Sequence, residues 1–276
     1  MSMSYIIREI INSAIPMEKL RELATAFRDL VKEWGWGPLA VVCAGSAALI
    51  LNNYIPPFWL VGPTADRLEL DQFGVSVVKG VSFCLVHFGT LFILPLAAAW
   101  LLTFITKRMP EGAGGFPARL RDTGLGWGDQ TRYLWVFGAA FLIILPLLFW
   151  AARQEEYQQT YPFFFFARLG IRYLLLWWLC YGLYYAGVEY FFRGFLLFGL
   201  YPKIGSLAVL VAAIPYVMVH FTKPPSEALG SLFAGILLGY MALRSRSIWG
   251  GFLLHWLVGM TMDALSIYFG SGFMSR

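Results

Sequence analysis

Charge is what this sequence has least of. Asp, Glu, Lys and Arg make up 13% of 276 residues, about half the fraction usual in a soluble domain. That excludes a chain covered by water on all sides, and the net charge of +5 therefore marks membrane-facing loops rather than a nucleic-acid surface. Cysteine is nearly as scarce. Cys43, Cys84 and Cys180 all lie in apolar stretches, which excludes a disulfide framework and any cysteine-type metal spacing. Histidine occurs three times, and His-Glu-x-x-His not at all, which removes one class of zinc protease. The segment "MSMSYIIREIINSAIPMEKLRELATAF" is too polar for a cleaved signal peptide. No internal repeat is visible.

What is present is apolar. Hydrophobic residues make up 59% and aromatic residues 18%, and several runs reach the roughly 20 residues that cross a bilayer core. The pattern predicts an all-α, polytopic transmembrane bundle of about seven or eight helices. Residues 1–36 read as an amphipathic interfacial segment, with Leu20, Leu23, Phe27, Leu30 and Val31 at helical spacing. Residues 37–276 form the transmembrane domain. Spans are expected at about 37–55, 80–105, 133–151, 163–200, 205–221, 226–244 and 247–269, with Gly187 a break point in the overlong fourth. The polar stretch 107–132 holds five Lys or Arg residues and is assigned to the cytoplasmic side. That puts residues 56–79 and "RQEEYQQTYP" outside.

Ionisable residues within lipid cost about 2.5–3.5 kcal/mol each, so they are functional candidates by default. Here they are Glu189, Arg193, His220, Glu227, His255 and Asp263. Glu189 and Arg193, at i and i+4 in "VEYFFRGFLLFGL", share a helix face and can pair. Taken singly, each has a plain structural explanation. The pair could lock two helices, His220 could be a satisfied helix-end histidine, and His255 could make an interhelical bond of about 1 kcal/mol. Glu227 suits the first turn of a helix, where the dipole favours an acid. Together, one carboxylate and two imidazoles on three separate helices make a general acid/base set able to activate water. The same groups could hold a metal. His87 reads as a packing residue, and the tryptophans as interfacial belts. "GWGD" matches an aspartyl-protease motif but lies in a polar loop, and Gly235 and Gly239 read as a packing motif.

"EYFFRGFLL", "YVMVHF" and "SIWGGFLLHWLVG" resemble, in order and spacing, the CAAX protease and bacteriocin-processing (CPBP) family of intramembrane proteases. That family's pattern is Glu-Glu-x-x-x-Arg, Phe-x-x-x-His and His-x-x-x-Asn. "GLGWGD" and "SLFAGILLGYMALRSRSIWGG" are similar to its members too. The resemblance covers about 120–269, the catalytic half. It departs at Val188 in place of the first Glu, at Tyr216 in place of Phe and at Gly259 in place of Asn.

The resemblance implies an endopeptidase, glutamic-type or metallo-type, hydrolysing a peptide bond in a membrane-associated protein or peptide. Glu189, Arg193, His220 and His255 would be its catalytic residues. In this reading Glu189 is the base, Arg193 orients it, and the histidines share proton transfer and oxyanion stabilisation. Glu227 and Asp263 stand behind them as compensating acids. No cofactor is expected, with zinc as the alternative. The partners would be the substrate and the lipid bilayer, not nucleic acid, and the location a multi-pass one, in the bacterial inner membrane. The alternatives are a non-catalytic scaffold or peptide-binding chaperone, favoured by Val188 and Gly259, and a proton-coupled transporter. Loop alternation puts His220 toward the outside and His255 toward the inside. A shared site therefore requires a re-entrant 188–200 segment or short, tilted helices.

On this reading, Glu189→Gln abolishes cleavage of a membrane peptide while the protein stays folded. Full activity in that variant would end the proposal.

Overall fold

The computed structural model describes residues 17–55, 70–108, 116–117 and 119–270. The first half of the expected amphipathic segment and most of the 56–79 loop lie outside these residues. Among the described residues there are nine helices and no strand. α1 (Met17–Trp34) buries nothing, and Leu20, Leu23, Phe27 and Leu30 are exposed at helical spacing. Such a helix suits a boundary between water and lipid. The chain turns at Gly35, whose φ of 79° is costly for any residue with a Cβ.

α2 (Trp36–Tyr54) follows, then α3 (Gln72–Thr106), which contains a π-helical turn at Gly89–Ile93. α3 starts about a turn or two before the apolar run at 80, because the Asp71 side chain accepts a hydrogen bond from Gly74 N at 2.8 Å and caps it. α4 is Gln130–Ala151 and α5 the short Glu155–Thr160. α6 covers residues 171–204, α7 is Leu207–Met218, α8 Pro225–Ser245 and α9 Trp249–Phe269. Helices α2, α3, α4, α8 and α9 are long and apolar enough to cross a membrane. The chain is an integral, multi-pass membrane protein.

α6 is the central element. Every residue from Gly187 to Leu200 is buried, as expected of a helix that is apolar all round. It does not break at Gly187. The helix runs through that glycine and widens into a π-helix over Tyr190–Leu197. Gly187 has a packing role instead. A Cβ there would meet His87 O at 3.2 Å and Leu91 Cβ at 3.4 Å, so its bareness lets α3 lie against α6.

α7 has only 12 residues, about 18 Å of helix, well short of a bilayer core of about 30 Å. It packs along α8, where Gly235 faces Tyr216 and Gly239 faces Val209. On the other side α4 packs along α9. Contacts between these two pairs are sparse, and a cavity opens between them.

The loop before α4 clamps the α8–α9 turn. Ile248 N donates to Gly124 O at 3.0 Å, Asp129 N to Ser245 O at 2.7 Å, and Trp249 Nε1 to Leu125 O at 2.9 Å. "GLGWGD" therefore has a bracing role, which explains its glycines without chemistry.

Gly187→Leu should push α3 from α6 and cost about 1–3 kcal/mol, the usual penalty of overpacking. Thermal unfolding in detergent micelles checks this: an unchanged midpoint would refute the close-approach role.

Candidate active site

α6 carries Tyr185, Glu189 and Arg193 at successive four-residue steps, so all three project toward one side. Glu189 is fully buried. Its Oε1 lies 3.2 Å from Arg193 Nη1 and 2.8 Å from His255 Nδ1. Arg193 lies over the Tyr216 ring, 4.0 Å from its centre, which gives the cation a second electron-rich neighbour. The first turn of α9 carries Gly250, which packs against α4, and Gly251, which faces α6. A Cβ on Gly251 would stand 2.9 Å from Glu189 Oε2, so the carboxylate sits in the notch that this glycine leaves.

The hydrogen bonds settle both imidazole tautomers by chemistry. His220 Nδ1 lies 2.8 Å from Tyr216 O. A carbonyl only accepts, so His220 Nδ1 carries the proton. His255 Nδ1 faces the Glu189 carboxylate, which as an anion also only accepts. The neutral rings therefore both present an unprotonated Nε2. That of His255 lies 3.5 Å from the Tyr216 hydroxyl, and the Tyr216 and His220 ring centres are 4.7 Å apart. Tyr216 thus stands between the two imidazoles.

His220 and His255 line one cavity of about 390 Å³, with Tyr185, Tyr216, Glu227 and Gly259. The short α7 resolves the conflict from loop alternation. α7 ends at Met218, and the turn after it brings His220, just before the start of α8, onto the same cavity wall as His255. Glu189 and Arg193 are not on the cavity wall. They sit behind His255.

The other acids separate clearly. Glu227 is on the wall, and both its oxygens accept from the Tyr161 hydroxyl at 2.7 Å. Lys223 Nζ donates to the same hydroxyl at 3.2 Å, and the Tyr157 and Ser226 hydroxyls are 2.9 Å apart. Residues 155–161 are thereby strapped across the start of α8. Asp263 does not reach the cavity. Its Oδ2 accepts from Trp177 Nε1 at 2.9 Å and Trp178 Nε1 at 3.2 Å, which ties α9 to α6. His87 is a packing residue, with Nδ1 2.7 Å from Phe83 O and its ring against Phe83.

Val188 faces an apolar core cluster, 3% exposed. Gly259 has an unexpected neighbour. A Cβ there would overlap the Tyr185 hydroxyl and lie 2.8 Å from Cε2 and Cζ of the same ring. Tyr185, Tyr157 and Tyr161 have no counterpart among the sequence candidates. The only available signal for Tyr185 was its place four residues before Glu189.

Residues 170–261 match the family model described as type II CAAX prenyl endopeptidase, Rce1-like. This segment is similar to the CAAX protease family. The match spans α6 to most of α9, about a third of the chain, and includes Glu189, Arg193, His220 and His255. A comparison with curated proteins finds no match, and neither does one with solved structures. Among the described residues no three His, Cys, Asp or Glu side chains converge as ligands.

A buried carboxylate stripped of its cation is expensive. Arg193→Met should destabilise the protein by about 3–5 kcal/mol, and adding Glu189→Gln should recover most of that. Equilibrium unfolding in mixed micelles measures both. A double variant no more stable than the single one would contradict a coupled pair.

Proposed function

We propose that this protein is an intramembrane endopeptidase acting on membrane-associated peptides. The observation that carries the reading is the 2.8 Å contact of Glu189 Oε1 with His255 Nδ1, beside a cavity that His255 shares with His220. A carboxylate in that position fixes the imidazole tautomer and stabilises the imidazolium that forms when Nε2 takes a proton.

Glu189 then acts through His255 rather than on water directly. His255 Nε2 removes a proton from water, and the water oxygen adds to the scissile carbonyl carbon. The carbon–nitrogen bond then breaks, and the departing amine takes the proton back from an imidazole, with His220 placed to share this step. Arg193 holds Glu189 in place and in its charged form. The apolar wall contributed by α4 and α8 suits a substrate that arrives within lipid, and location in a bacterial inner membrane fits the same reading. No step is routed through a metal.

A second reading has its own observation. Val188 is packed into the apolar core at the position where the family pattern has its first Glu, and a non-catalytic peptide-binding relative would need no acid there.

The test is release of the C-terminal tripeptide from a farnesylated peptide ending in Cys-aliphatic-aliphatic-X, with the protein in liposomes and mass spectrometry as readout. His255→Ala should lower kcat by about 10²–10⁴-fold, the usual range for a lost acid/base group, with KM little changed. Wild-type turnover in His255→Ala would overturn the mechanism. Binding of the peptide without cleavage by the wild type would establish the second reading.

A further inference from the structure

Hydrolysis through a tetrahedral intermediate places negative charge on the former carbonyl oxygen, and a donor aimed at that oxygen is normally among the largest contributors to rate. Position 259, four residues after His255 and hence on the same side of α9, holds glycine and has no donor to offer. The volume that a side chain at 259 would occupy is filled from the opposite helix. The three nearest atoms to a Cβ there all belong to Tyr185: its hydroxyl, Cε2 and Cζ. The Tyr185 ring also lies against His255, with centres 4.5 Å apart, and is backed by Tyr181 at 4.4 Å. Tyr185 is on the wall of the same cavity, one four-residue step before Glu189 on α6.

We propose that the Tyr185 hydroxyl is the oxyanion donor of this site, replacing from α6 the side chain that Gly259 lacks on α9. The inference rests on the hydrolytic reading above and adds a catalytic residue to it. The phenol donates a hydrogen bond and keeps its proton throughout. As the water oxygen bonds to carbon, the carbonyl electron pair moves to oxygen, the O–H holds that charge, and the pair returns when the amine leaves. Gly259 and Tyr185 form a matched exchange: bulk and donor have moved together across the α6–α9 contact.

The test uses the farnesylated peptide and the full chain. Tyr185→Phe removes one oxygen and keeps the ring packing. It should lower kcat by about 10²–10³-fold, with KM and the thermal midpoint unchanged. Tyr185→Ala clears the atoms that crowd position 259. Adding Gly259→Asn to it should return about tenfold or more of the lost kcat, because an amide donor again reaches the oxyanion. A Tyr185→Phe enzyme with wild-type kcat, or a double variant no faster than Tyr185→Ala alone, overturns the role of Tyr185 and leaves the hydrolytic reading standing. Absence of turnover in the wild type overturns that reading and this assignment with it.

Discussion

A carboxylate enclosed in an apolar interior must be met by positive charge and hydrogen bonds, and at Glu189 that demand shapes the surrounding helices. Arg193 answers from the next turn of α6, and the imidazole of His255 answers from α9. Each answer imposes a further condition. Arg193 needs Tyr216 beneath it, which fixes α7 against α6. The Glu189 contact needs α9 to come close, which Gly251 permits. Buried ion pairs are weak sources of stability, since desolvation cancels much of their attraction. What this one supplies is position: a few tenths of an ångström at Glu189 would move His255 with it.

The helical architecture was legible because lipid leaves few options. Backbone groups in a bilayer must pair within the segment, so long apolar runs have to be helices, and the expected spans lie close to α2, α4, α8 and α9. The errors came where local pattern and packing diverge. Gly187 reads as a flexible point in a long apolar run, yet it is a contact surface for α3, a fact held in residues about a hundred positions away. α3 begins early because of a polar cap that a hydropathy window discounts.

At the site, charge in an apolar background was a strong signal, and Glu189, Arg193, His220 and His255 all fall in one neighbourhood. Asp263 gave the same signal for a different reason, since two indole N–H groups hold it away from the cavity. Tyr157 and Tyr161 gave none, and Tyr185 only its place four residues before Glu189. Tyrosine is ordinary in an aromatic-rich chain, and only the three-dimensional overlap with position 259, or the bonds to Glu227 and Ser226, sets these residues apart.

A reaction that consumes water inside a lipid layer has to be supplied with it. α7 ends about a dozen ångströms short of a full crossing, and a helix that short draws the polar boundary inward rather than exposing its ends to hydrocarbon. The turn beyond it carries His220 and Lys223, and Glu227 follows at the start of α8. His220 and Glu227 give this end of the cavity polar lining, while Ile144, Leu147, Leu237 and Leu238 give it an apolar wall. In the proposed hydrolysis, the polar end would admit water and the apolar wall would receive a peptide arriving from lipid. In that reading the missing turns of one helix would do the work of a channel.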